Sequence, residues 1–270
     1  MRYAVRLAYI GENYSGFQKQ PNMKTVEGTV IEALKKVGWI EDEEKANYNH
    51  AGRTDQGVNA LSQTIAFNTS EKIILPALNN NLPKDICCWA YAPVAEYFDP
   101  RRDALLRTYK YYAIYEGENL RMMKKAASLL KGTHDFKNLC TPKPNRKTIR
   151  TLLESKIEKR GDLLIFTFSS KGFLWKMVRK MVTALRKIGS GEKNLEYLKD
   201  LLNPTYQPRG GVAPADPSGL ILFDIKYPFD FLVDEVSRKI FLKTLYKNYV
   251  QERIKAQICK VITLELEKMR

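Results

Sequence analysis

AGRTDQGVNA, residues 51–60, sets Arg53 and Asp55 two positions apart between Gly52 and Gly57. In extended backbone alternate side chains share a face, so a guanidinium and a carboxylate would project together. The glycines permit a tight turn and let a ligand come close to the main chain. A carboxylate beside a guanidinium favours its charged form, and a bidentate pair fixes its direction. Held in a cleft, such a group can attack an electrophilic carbon or stabilise a positive one. Read alone, the dyad is more simply an ion pair that tidies a loop.

Upstream, Tyr3, Val5, Leu7 and Tyr9 alternate with Arg2, Ala4 and Arg6, which predicts a strand over residues 2–10 with one face buried. Gly11, Gly16 and Pro21 mark a loop. Thr25 then caps a helix carrying Val26, Val30, Leu34 and Val37 at helical spacing. Downstream, Thr64–Asn68, RTYKYYAIY at 107–115, LLIFTF at 163–168 and GLILFDI at 219–225 read as strands. Helices are expected over Leu120–Lys131, closed by Gly132, and after Gly172, where Leu174, Met177, Val178, Met181 and Leu185 share a side. Another runs near Glu192–Leu202 and stops before Pro204. From Asp234 onward the pattern is helical and basic, and Val236, Ile240, Tyr246, Val250 and Ile254 are expected to pack against the fold.

Strands and helices mix without regular βαβ alternation, so the expected class is α+β with a largely antiparallel sheet. Pro100 and the basic run Arg101, Arg102 and Arg107 interrupt the apolar pattern. They suggest an N-terminal α+β domain over 1–104, carrying the 51–60 loop. A C-terminal α+β domain would cover 105–270, with a helical extension from about 228.

The chain has 45 Lys and Arg against 30 Asp and Glu, a formal net charge of +15. Such an excess attracts a polyanion and gains from counterion release. Nucleic acid is the leading partner, an anionic membrane the second, and a scattered solvated charge the plain alternative. KPNRKTIR at 143–150 is the densest basic run, and a phosphate-binding loop and a solvated loop weigh evenly there. Cys87, Cys88, Cys140 and Cys259 form no C-x-x-C pair, and His50 and His134 are the only histidines, so no metal site is expected. Four cysteines in a chain of 270 residues read as reduced thiols. The first residues, MRYAVRLAYIGENY, are broken by Arg6 and Glu12 and lack the apolar core of a signal peptide. No stretch approaches the roughly 18 apolar residues of a membrane span. A cytoplasmic protein without membrane contact is expected.

GRTDQGVNA resembles the G-R-T-D-x-G-V-x-A signature of the TruA-type tRNA pseudouridine synthases, and other blocks agree in order. YIGENYSGFQ at 9–18, TVEG at 25–28, FDPRRDALLRTYKYY at 98–112, GTHDF at 132–136, GFLWKMVRKMV at 172–182 and APADPSGL at 213–220 are similar to that family's blocks. The agreement covers residues 1 to about 225. It departs at Asn59, where many bacterial members carry His, which suggests a branch outside the bacterial one. The resemblance implies the pseudouridine synthase fold, two mixed domains sharing one sheet beside an RNA-binding cleft. It implies Asp55 as the catalytic aspartate and Arg53 as a shaping residue of the same loop. Tyr109 would pack on the target base, and Arg179 would be the helix arginine that pairs with the aspartate. On a helical wheel alone, Arg179 lies away from the apolar stripe and reads as a surface residue. The resemblance further implies a homodimer acting on uridines 38, 39 and/or 40 of the tRNA anticodon stem-loop, with no cofactor. Asp55 would attack C1′ or remove the 2′-proton.

Three other readings compete. A non-catalytic tRNA-binding protein would keep the charge but need neither Asp55 nor Tyr109. A hydrolase or phosphotransferase using Asp55 lacks a Walker loop and an aspartate-rich metal cluster. A membrane-surface protein would rest on the basic C-terminal helix.

Overall fold

The computed structural model describes residues 1–269. In chain order the elements are β1 (Arg2–Tyr9), α1 (Val26–Lys36), β2 (Asn49–His50), β3 (Asn59–Asn68), α2 (Leu75–Asn79), β4 (Ile86–Val94), β5 (Leu106–Ile114) and α3 (Leu120–Leu129). There follow β6 (Gly132–Asp135), β7 (Ile149–Arg160), β8 (Leu163–Ser170), α4 (Met177–Gly189), α5 (Leu195–Leu202), β9 (Leu220–Lys226), β10 (Leu232–Val233) and α6 (Glu235–Lys268). The fold is α+β, built on one mixed sheet ordered β10-β4-β1-β3-β9-β5-β8-β7-β6, with β2 paired to β3.

Every pairing among the described strands is antiparallel except β3 with β9, which run parallel through Asn59↔Ile221 and Ala60↔Leu222. This short seam positions the site. Parallel strands begin at the same edge, so the 51–58 loop before β3 and the 213–219 segment before β9 emerge side by side. Apolar residues collect in two clusters. One joins α1 and α2 to β1, β3 and β4, and the other joins α3, α4 and α5 to β5, β7 and β8. β9 serves both, with Leu222 and Ile225 in the first and Leu220 in the second.

Helix starts follow their caps. The Thr25 hydroxyl accepts from Gly28 N, the Asn119 side chain from Met122 N and the Asn194 side chain from Tyr197 N, each meeting a donor that the first turn leaves free.

Three expectations are corrected. β1 is covered on both faces: Arg2, Ala4 and Ala8 are as buried as Val5, Leu7 and Tyr9, and the chain after β9 lays Phe231 over the Arg6 guanidinium, 4.5 Å from the ring centre. Arg2 is buried, its Nε giving a hydrogen bond to the carbonyl of Phe98 at 2.8 Å and its Nη1 to Asn47 O at 2.9 Å and Asn68 Oδ1 at 3.0 Å, while Nη2 meets no partner among the described residues. The basic run at 143–150 is not wholly a loop, since Ile149 and Arg150 open β7. The C-terminal segment is a single helix, and its apolar positions do not pack as expected. α6 is tied down only near its start, where Asp234 N meets Trp89 O at 2.9 Å and Asn79 Nδ2 meets Ser237 Oγ at 2.8 Å. Val236, Ile240, Tyr246 and Ile254 are exposed, as is every residue from 251 to 269. No described helix is long and apolar enough to cross a membrane.

Candidate active site

The 51–58 loop is stitched to its surroundings on both sides. Ala51 N donates to Thr64 O at 2.8 Å, Gln63 Nε2 to Gly52 O at 2.8 Å, and Phe17 N to Thr54 O at 3.1 Å. The Thr54 hydroxyl shares a buried 2.8 Å hydrogen bond with Tyr9. Val58 N closes a turn on Asp55 O at 3.1 Å. Gly16 makes this close approach possible. It adopts a φ of +98°, and a Cβ there would stand 3.0 Å from Thr54 O. Gly57, at φ +78°, turns the chain beneath Pro217.

Asp55 is held at the centre by two donors. Arg179 Nη1, from the first turn of α4, lies 2.8 Å from Oδ2, and Trp175 Nε1, just ahead of α4, lies 2.9 Å from Oδ1. The Arg179 side chain is 11% exposed and that of Asp55 25%. Arg179 is itself anchored, its Nε donating to Ala215 O at 2.6 Å while its own carbonyl accepts from Ala215 N at 3.1 Å. The wheel reading of Arg179 as a surface residue therefore fails. A wheel describes the faces of an isolated helix, and the 213–219 segment crosses the face that it leaves to solvent.

Arg53 forms no ion pair with Asp55; the pairing that the 51–60 string suggests locally is made instead with Arg179, 124 residues away. Arg53 is exposed on the wall of the cleft. Tyr109 lies on β5, its ring edge-on to Phe173 with centroids 5.1 Å apart. Burial pushes its hydroxyl up to about 12, with Arg107 acting in the opposite sense and Asp55 reinforcing the rise. The phenol is therefore a neutral donor throughout the physiological range.

These groups line a cleft of about 1500 Å³. Nine of its lining residues are Lys or Arg, against Glu12 and Asp55 alone as acids, so the cleft suits a polyanion. Burial, then repulsion from Arg146, Arg53 and Arg107, lowers the Arg101 guanidinium from its ordinary value. Such a crowd of like charges gains when phosphates enter. Lys143, Arg146 and Arg150 from the 143–150 run are on this wall.

The sequence alone attaches no role to three residues of the site, Asn59 standing out only as a departure from many bacterial members. Trp175 reads there as one more aromatic of an apolar block. Arg107 reads as part of an interdomain basic run, yet it is buried and braces the loop, donating to Ala51 O and Arg101 O at 2.9 Å each. Asn59 is a stitch: its Oδ1 accepts from Gly11 N at 2.9 Å, and its Nδ2 donates to Ser218 O at 2.8 Å. A buried donor with long-range backbone partners leaves no periodic signal.

A carboxylate fixed by two donors on the floor of a cationic cleft defines an enzyme for a polyanionic substrate. The family model described as tRNA pseudouridine synthase matches residues 126–228. Proteins named tRNA pseudouridine synthase A are similar along nearly the whole chain. The one from Methanococcoides burtonii is 39% identical, covering 96% of this chain and 95% of its own. That from Archaeoglobus fulgidus is 40% identical over 94% and 92% respectively, and that from Thermococcus onnurineus 37% over 96% and 97%. The chain belongs to the tRNA pseudouridine synthase family and is an RNA isomerase. One chain of a solved Cbf5-Nop10-Gar1 complex aligns over 68% of this chain and 53% of its own, with 10% identity and a TM-score of 0.34, a likeness too slight to add to this.

Proposed function

We propose that this protein converts uridine to pseudouridine in the tRNA anticodon stem-loop, at positions 38, 39 and/or 40, with Asp55 as the catalytic carboxylate. The observation that carries the reading is the Asp55–Arg179 contact of 2.8 Å on the floor of a cleft lined by nine basic residues.

The reaction breaks the glycosidic bond, turns the uracil and joins C5 to C1′, with no net redox change. The target base must first leave the helical stack, which costs a few kcal/mol. Tyr109 offers a ring to receive it, and base–aromatic stacking returns about 1–3 kcal/mol. Arg179 places a positive charge 2.8 Å from the Asp55 carboxylate and fixes one of its oxygens. Asp55 can carry either route at the ribose. A primary isotope effect from 2′-deuterated uridine would mark removal of the 2′-proton, and its absence would mark attack at C1′. C5 must then lose its hydrogen while N1 gains one, and the neutral Tyr109 hydroxyl can take the C5 proton only while passing its own to an acceptor, a role open to the Asp55 carboxylate once it is regenerated. Arg53, Arg101 and the cationic residues of 143–150 hold phosphates and set the register of the arm.

The same reading makes the enzyme a cytoplasmic homodimer. Its support is the set of exposed apolar side chains on α6, including Ile254, Ile258 and Val261 at helical spacing, which no other described element covers. Light scattering should give twice the chain mass, and a monomer at micromolar concentration would remove the dimer.

The test of function is an unmodified tRNA transcript incubated with the protein, with pseudouridine mapped by carbodiimide-dependent primer-extension stops. Stops in the anticodon arm that vanish with Asp55→Ala are expected. Modification by that variant at the wild-type rate would refute the role of Asp55.

A further inference from the structure

We propose that Trp175 is a positioning residue for the reaction: its indole N–H locks the rotation of the Asp55 carboxylate so that one oxygen faces the ribose. The inference rests on Asp55 being the reacting carboxylate and adds a residue to it.

The terminal torsion of an aspartate is broad, so a single contact leaves the carboxylate free to rock. Arg179 provides only one contact, because its Nε is committed to Ala215 O and its Nη1 alone reaches Oδ2. The two-pronged grip that an arginine fork can give a carboxylate is absent. The second fixed point is Trp175 Nε1 on Oδ1 at 2.9 Å. With both oxygens held, the carboxylate plane is set, and lone pairs remain on each oxygen for the substrate. The two donors divide the work. Arg179 supplies charge, whereas the indole is neutral and donor-only, so it can orient the anion without adding charge.

The placement of Trp175 does not serve packing. Its neighbours Leu174 and Met177 are buried, while Trp175 is 46% exposed on the cleft wall. A tryptophan in a core role would exchange these exposures. Its backbone is fixed instead, the Trp175 carbonyl accepting from Thr141 N at 2.9 Å. The next residue, Lys176, adopts a left-handed φ of 60°, a conformation that lysine rarely takes and that tertiary contacts must sustain. Such strain persists where it aims a group at a site. The Lys176 and Lys143 ammonium groups lie 4.7 and 5.6 Å from the indole centre, bracing the ring by cation–π contact. Lys143 comes from the basic 143–150 run, so the indole touches both the RNA-facing wall and the reacting carboxylate.

Trp175→Phe keeps an aromatic ring for the two lysines and deletes the N–H. Under single-turnover conditions the rate of pseudouridine formation should fall about 10- to 100-fold, the scale of a misaligned reacting group, with the tRNA Kd within about twofold of wild type. A wild-type rate would overturn the proposal. So would a loss confined to tRNA affinity at an unchanged rate constant, which would make Trp175 a stacking platform. The indole N–H signals of Trp39, Trp89 and Trp175 in ¹⁵N-labelled protein give a readout that needs no activity and no Trp175 variant. The Trp175 signal should move in Asp55→Asn while the other two stay; an unmoved Trp175 signal would overturn the contact. Asp55→Ala run alongside separates the failures. If it is active, the reading of Asp55 falls; if it is inactive while Trp175→Phe is at full rate, only the role of Trp175 falls.

Discussion

Arg179→Ala is the perturbation that the site constrains most tightly. It removes the one ion pair of Asp55, a 2.8 Å contact between side chains 11% and 25% exposed. Breaking a fully buried pair costs roughly 3–5 kcal/mol because the remaining charge is stranded. Partial exposure lets water reach Asp55, which reduces the expected loss to about 2–3 kcal/mol. The loss should fall on the rate, since the stranded group is the reacting one. At about 1.36 kcal/mol per tenfold, the single-turnover constant should drop roughly 30- to 160-fold. Arg179→Lys should fall between, because one ammonium cannot meet both Ala215 O and Asp55 with the geometry of Nε and Nη1. The assay follows from the chemistry. C5 gives up its hydrogen in each turnover, so a transcript carrying uridine tritiated at C5 releases tritium to water, counted in a single turnover at saturating enzyme. Rates for Arg179→Ala within threefold of wild type, or a deficit abolished by more enzyme, would refute the reasoning.

Replacing Lys143, Arg146 and Arg150 together by Gln should weaken tRNA binding and flatten the slope of log affinity against log salt by about 2, at about 0.7 per lost contact to single-stranded phosphate; an unchanged slope, read by filter binding, would return that run to solvent. Tyr109→Phe keeps the contact with Phe173 and should retain tRNA affinity while slowing tritium release, whereas Tyr109→Leu should also lose about 1–3 kcal/mol of base stacking. Because the Tyr109 hydroxyl is pushed up to about 12, wild-type activity should show no Tyr109 ionisation between pH 6 and about 10, and an ultraviolet titration there attributable to Tyr109 would contradict it. Glu43, held down to about 2 first by its hydrogen bonds from Lys19 and Lys35, gains stability above its ordinary value of 4.5 and loses it as pH falls towards 2. Glu43→Gln should therefore flatten urea-measured stability over that window while leaving neutral-pH activity alone.

The sequence reveals elements whose burial is periodic and local. β5, α1 and α4 each carry one apolar face and were legible within a residue or a few of their bounds. β4, ICCWAYAPV, is not: a continuous apolar run has no period, because both faces are covered, Cys88 sharing a cluster with Leu75 and Leu78 of α2 and Cys87 lying against Ser237 at the start of α6. Beyond the basic run that ends at Arg150, β7 also gives no clear strand signal, its solvent side being charged enough to obscure the alternation. In the site, the 51–60 string read alone gives only an ion pair that tidies a loop, and Asp55 stands out through the resemblance of the whole string to a family signature. Its true partner was recognised only through resemblance to a family, because a contact across 124 residues is a property of topology. Trp175 had neither a local pattern nor a role attached to it.

The parallel seam explains why these distant residues meet. Two antiparallel halves, each closed by its own helices, could pair through an antiparallel β3–β9 contact and still bury their cores. The 213–219 segment would then emerge at the far edge, and Ala215 could not anchor the arginine that faces Asp55. The parallel contact is registered at only two residue pairs, too short to be the main source of cohesion between the halves, yet Asn59 sits in it and ties Gly11 to Ser218. Asn59→Ala should thus cost stability modestly, by about 1–2 kcal/mol for the unmet backbone partners, and should reduce activity disproportionately by loosening the register of the two loops. A matched loss, with activity falling only as the folded fraction falls, would show that the seam holds the halves together without aligning the site.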